Sequence, residues 1–159
     1  MTSPLCGAQY GEWYVVCAKG LEFAKEENLF NLSQGCEVFG GTAEEHVMTS
    51  SLVCYKDRSY VWRVEYLGDE GPNPDALEAD GPVPPEFTAI RDERMEFQKR
   101  DAKDADADHL YDIPLELSRR LCGFHYDPEG EAPNHSELEN AAAQSPNHGV
   151  GWFNKLFGG

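Results

Sequence analysis

Leu52-Val53-Cys54-Tyr55, the polar link Lys56-Asp57-Arg58-Ser59 and Tyr60-Val61-Trp62-Arg63-Val64-Glu65-Tyr66 constrain this chain more than any other stretch. Two β-prone arms joined by four polar residues predict a β-hairpin. In the second arm Tyr60, Trp62, Val64 and Tyr66 share one period-2 face, while Val61, Arg63 and Glu65 share the other. The first face is expected to pack and the second to stay wetter.

Around that hairpin the other elements are placed by pattern. Glu12-Trp13-Tyr14-Val15-Val16-Cys17-Ala18 is apolar on both period-2 faces, so it predicts a buried, central strand. A short helix is expected to begin at residues 20–24, before the chain runs through Asn28–Leu32 to a stop at Gly35. Cys36-Glu37-Val38-Phe39 predicts a second strand, closed by Gly40-Gly41. Thr42 and Glu45, three apart, fit a capping box ahead of one helical turn. Eight glycines and prolines between residues 68 and 85 predict a long loop. Phe87, Ile90, Arg94 and Phe97 then recur at helical spacing behind Pro85, and Lys99-Arg100 meets the negative end of that helix. Asp112 is placed to cap a helix over Pro114–Cys122, with Ile113, Leu117 and Leu121 as its apolar stripe and Gly123 as its stop. Phe124-His125-Tyr126 is expected to add an edge strand.

Strands fall in the first half and helices in the second. That order predicts an α+β fold, a mostly antiparallel sheet covered on one face by helices, followed by a flexible acidic C-terminal tether. The expected divisions are one domain over 1–126, an acidic linker over 127–149 and an apolar peptide over 150–159. Charge supports them. Of a net −16, ten units lie in residues 67–85 and 127–149, each with five acids and no base. The body is only mildly acidic, and acidic linkers repel themselves into extended, solvated tethers.

The same balance argues against nucleic-acid partners, which need Lys and Arg against phosphate, and against anionic membrane surfaces. No 18-residue apolar run is present to span a membrane. Residues 1–6 lack a basic segment followed by an apolar one, so no secretory signal is expected. Five cysteines, odd in number and never spaced Cys-x-x-Cys, point to reduced thiols and a cytoplasmic location.

Few motifs carry chemistry. Asp104-Ala105-Asp106-Ala107-Asp108 resembles the start of a calcium loop, but His109 stands where the turn glycine belongs and Leu115 where the bidentate Glu belongs. Cys122, His125, His109 and Asp112 supply a thiol, two imidazoles and a carboxylate within seventeen residues. Zinc sites show ligand pairs twice over, and here there is one. Glu44-Glu45-His46 lacks the second His of a metal helix, and no phosphate-binding glycine loop occurs. No cofactor or metal is therefore expected.

The terminal peptide carries the most legible signal. On a helix Trp152, Phe153, Leu156 and Phe157 span an arc of about 140°, with Asn154 and Lys155 opposite. So short a helix is unstable alone and would form on docking into an apolar groove. The expected function is thus a non-enzymatic cytoplasmic interaction module, of the size and charge of small acidic inhibitors, immunity proteins or adaptors. It would bind a protein partner through those four side chains. The alternative is a small enzyme using Cys122 and His125 beneath the 68–85 loop. The sequence fixes no oligomeric state.

Overall fold

The computed structural model describes residues 5–18, 21–68, 71–101, 103, 107–124 and 136–138. They form two antiparallel sheets and three α-helices, an α+β fold. The larger sheet holds β3 (Glu37–Glu44), β4 (Thr49–Lys56), β5 (Ser59–Leu67) and β6 (Leu77–Asp80) in that order. The smaller holds β2 (Trp13–Ala18), β1 (Leu5–Tyr10) and β7 (Ser136–Leu138).

The β4–β5 hairpin forms as the alternation predicts. Asp57 and Arg58 take φ of 49° and 58°, the left-handed pair that a two-residue hairpin turn needs to match strand twist. Trp62, Val64 and Tyr66 are buried with Leu52 and Cys54 on one face. Tyr60 is the exception. The register slips between Cys54 and Tyr55, and a one-residue slip carries later side chains to the opposite face. Tyr60 is therefore 43% exposed, edge-on to Tyr55, and donates to Asp80 Oδ2 at 2.6 Å.

α2 (Glu86–Arg100) and α3 (Asp112–Cys122) cover the packed face. Phe87 and Ile90 from α2, and Ile113 and Leu117 from α3, join Leu52, Cys54, Trp62, Val64 and Tyr66 in one core. Gly123 adopts φ 79° and closes α3 with an N–H to Arg119 O bond of 2.9 Å, as its position predicts. Asp112 lies inside the first turn instead of capping it. Tyr111 stands at the N-cap without a side-chain bond, and Asp108 orders the turn that leads in, its Oδ1 accepting from the N–H groups of Leu110 and Tyr111.

α1 (Glu26–Leu32) packs on the other face. Gly40 alternates with Phe39 and Gly41, and a β-carbon on it would collide with the buried Leu29. β3 runs through Gly40-Gly41 instead of stopping there because both pair with β4, opposite Val53 and Leu52, and the close approach of Leu29 accounts for the glycine at 40. The expected helical turn at Thr42–Glu45 is absent, since Thr42 pairs with Ser51 across the ladder and bonds it, Oγ to Oγ, at 2.7 Å.

Three further readings are corrected. Within the 68–85 loop, Leu77–Asp80 pairs with β5 as an edge strand. β2 lies at the edge of its sheet and Tyr14 is exposed. Its apolar faces reflect contacts from a different layer, where Trp13 stacks on Phe39 at 4.6 Å and Phe39 reaches Trp62 at 5.6 Å. Phe124 follows α3 outside any strand, and its ring meets Tyr10 edge-on at 5.5 Å; His125 and Tyr126 lie outside the described residues. β1 was not legible because Leu5–Tyr10 has few β-branched residues. It is held by its neighbours, with Leu5 facing Ala18 on one side and Leu138 on the other.

Candidate functional site

Among the described residues, His109, Cys122, Cys54 and Glu116 are committed to structural bonds. His109 sits in the connection before α3, where its Nε2 lies 2.9 Å from Asp101 Oδ2 and its ring stands edge-on to Phe97. Its backbone N–H donates to Gln98 Oε1 at 2.8 Å, while Gln98 Nε2 donates to Ala107 O. Gln98 thereby clamps the α2–α3 connection from both ends. Arg100 and then His109 hold the Asp101 carboxyl down at about 2.

Cys122 lies at the far end of α3 from His109. Eleven helical residues at about 1.5 Å rise separate the two by roughly 16 Å, beyond the reach of a nucleophile–base pair. The Cys122 thiol donates to Ser118 O at 3.1 Å, one turn back. Burial first, and then the nearby Cys17 and Cys122 thiols, push the Tyr10 phenol up. The C-terminus of α3 thus packs beside the first hairpin. His125 lies outside the described residues.

Cys54 is fully buried, and burial followed by its bond to Glu37 Oε1 at 3.4 Å pushes its thiol up to about 12. A thiol so protonated is a packing group, because the thiolate is the reactive form.

The densest charge cluster joins α2 to α3. The Glu116 side chain is 8% exposed and receives Arg119 through two bonds, at 2.7 and 2.6 Å. Arg120 Nε donates to it at 3.0 Å, and Arg94 Nη2 lies at 4.0 Å. Arg94 and Arg120 also pair with Asp112 and Glu93. Arg119 and then Arg120 hold the Glu116 carboxyl at about 2, against the opposing effect of burial. These pairs neutralise Arg94, Arg119 and Arg120 and leave a fork of structural ion pairs.

Among the described residues no group of three His, Cys, Asp or Glu side chains is arranged to hold a metal. No helix among them is long and apolar enough to cross a membrane.

What the surface offers instead is apolar. Leu21 and Phe23 in the 3₁₀ turn Leu21–Ala24, and Phe30 in α1, are 57%, 36% and 41% exposed. They lie within ten residues of chain, in a segment that buries Leu29 alone among its large apolar side chains. The segment is held firmly. Ser33 is buried, donates to Phe30 O at 2.9 Å and accepts from Arg58 N–H at 3.1 Å. The Arg58 guanidinium lies 5.9 Å from the centre of the Phe30 ring. Val47 and Leu67 form a separate exposed pair at the opposite end of the larger sheet, where Gly68 N–H bonds Met48 O.

Sequence reasoning missed Leu21, Phe23 and Phe30 as surface groups. The available signal was that Leu21, Phe23, Leu29, Phe30 and Leu32 follow no single helical stripe, so one short element cannot bury them all. Trp152, Phe153, Leu156 and Phe157, the four expected docking side chains, lie outside the described residues. Comparison with family models, with curated proteins and with solved structures gives no match.

Proposed function

We propose that this chain is a non-enzymatic, cytoplasmic protein-interaction module of inhibitor or adaptor type that docks a protein partner through Trp152, Phe153, Leu156 and Phe157. The observation that carries the reading is the contrast within the described body. His109, Cys122, Cys54 and Glu116 are tied into structural bonds, while Leu21, Phe23 and Phe30 are left exposed on a well-anchored segment. Large apolar groups left in water on ordered backbone mark contact surfaces more often than catalytic ones. The terminal peptide adds four large apolar side chains within six residues of sequence.

The test is quantitative capture with the full chain as bait. Burying a Trp or Phe side chain is worth roughly 1.5–3 kcal/mol, so Trp152→Ala and Phe157→Ala should each weaken partner capture about ten- to a hundredfold. Asn154→Ala, on the opposite arc, should leave capture within about twofold. Equal capture by all three variants overturns the reading.

A further inference from the structure

We infer that the surface formed by Leu21, Phe23 and Phe30 is the seat of this chain's own C-terminal peptide, so that the free protein is closed on itself and a partner must displace that contact. The inference rests on the reading of residues 150–159 as a docking peptide and names where that peptide goes when no partner is present.

Topology places the two together. β7 pairs antiparallel with β1, which pairs antiparallel with β2, so β7 and β2 run the same way. Leu138 and Ala18 both stand level with Leu5. They leave the small sheet at the same end, on either side of β1 and two strand spacings or about 10 Å apart. From Ala18 three residues lead to Leu21, a further span of at most about 10 Å. The point where the described chain ends is therefore within about 20 Å of Leu21, at the start of the exposed segment.

The intervening length fits. Residues 139–152 number fourteen, giving a root-mean-square reach of about 20 Å as a flexible chain and a limit near 46 Å when extended. A linker whose average span matches the gap gives close to the maximum effective concentration, of order 1 mM.

Chemistry agrees with geometry. The peptide offers four apolar side chains and Lys155, which is the only Lys or Arg after Arg120. The surface offers three apolar side chains, with exposed Glu26 and Glu27 in the first turn of α1 and also Lys25 at its N-cap and the Arg58 guanidinium over Phe30, so the match is carried by the apolar groups. With an intrinsic affinity of about 0.1 mM, an effective concentration of order 1 mM holds the closed form about tenfold over the open one.

The experiment uses the full chain labelled with fluorotryptophan, whose three resonances report Trp13, Trp62 and Trp152 separately by ¹⁹F NMR. In the wild type the Trp152 resonance should lie away from its position in the urea-unfolded chain, and should not move over a tenfold dilution. In Leu21→Ser/Phe23→Ser/Phe30→Ser it should shift to the unfolded position, while Trp13 and Trp62 stay in place and show that the body remains folded. Val47→Ser/Leu67→Ser, at the other end of the sheet, should leave all three unchanged. Partner affinity should rise about tenfold in the triple variant, because the competing seat is gone.

A wild-type Trp152 resonance already at the unfolded position overturns the inference, as does a Trp152 shift indifferent to the triple substitution. A shift that depends on dilution makes a second copy the occupant and overturns the intrachain contact. If Trp152 is free yet Trp152→Ala loses the partner, docking stands and this closure falls. If Trp152 is docked but no capture depends on it, closure stands and the partner reading falls.

Discussion

Tyr66 Oη donates a 2.8 Å hydrogen bond to Asp108 Oδ2, joining the end of β5 to the turn that leads into α3. The same oxygen accepts from Asn73 N–H at 3.3 Å. The ring is fully buried, and burial first, with the Asp108 carboxylate beside it, pushes the phenol up to about 12. One hydroxyl therefore fixes the helical layer, the sheet and the connection to β6. Ser50 Oγ repeats the link one strand away, donating to Tyr111 O at 2.7 Å.

Tyr66→Phe should cost about 1–3 kcal/mol, the range for a hydrogen bond to a charged group, because Asn73 N–H and Asp108 lose their partner with no gain in packing. Urea denaturation should show a lower midpoint at unchanged slope. A cost below about 0.5 kcal/mol would mean that water replaces the hydroxyl.

Trp62→Ala should cost roughly 3–5 kcal/mol, as for other buried aromatics. Trp62 is 3% exposed and ends the Trp13–Phe39–Trp62 aromatic row that joins the two sheets. Near-ultraviolet circular dichroism should lose the signal of stacked rings together with the stability. A loss under about 1 kcal/mol would contradict the packing described.

Glu116 makes stability depend on pH with a definite sign. Its carboxyl titrates at about 2 in the folded chain, below the usual 4.5, so the unfolded chain binds the proton first as pH falls. The stabilisation is present above about pH 4.5 and is lost as pH drops towards 2. Glu116→Gln should lower stability at pH 7 by about 2 kcal/mol, leaving Arg119 and Arg120 short of their buried partner. It should also flatten the stability profile between pH 5 and 2, as followed by thermal melts across that window. A parallel offset at every pH would mean that Glu116 does not carry the titration.

The hairpin turn stores a small strain. Asp57 and Arg58 both hold positive φ, and a residue with a β-carbon pays roughly 1 kcal/mol there while glycine pays little. Asp57→Asn/Arg58→Gly should therefore raise the melting temperature by a few degrees. The backbone bonds from Asp57 N–H to Cys36 O and from Arg58 N–H to Ser33 Oγ survive the exchange. A fall in melting temperature would show that stacking of Arg58 on Phe30 outweighs the turn strain.

The sequence by itself determined the elements whose cause is local. The alternation of β5, the polar turn before it, the Phe87 and Ile90 spacing of α2, the Ile113 and Leu117 stripe of α3 and the left-handed Gly123 each follow from the nearest few residues. Tertiary structure decided what depends on a distant partner. Gly40-Gly41 continues a strand because Val53 and Leu52 of β4 pair with it, while Leu29 fills the space that a β-carbon on Gly40 would take. Tyr60 leaves the core because the β4–β5 ladder slips by one residue, and no period-2 count registers a slip. β1, β6 and β7 exist as strands only through the strands beside them, since an extended segment gains its hydrogen bonds from a neighbour and not from itself. The candidate surface divides in the same way. The apolar arc of Trp152, Phe153, Leu156 and Phe157 can be counted along the chain, whereas the exposure of Phe30 depends on which side of α1 the sheet accepts, and Gly40, by making room for Leu29, settles that from a different element.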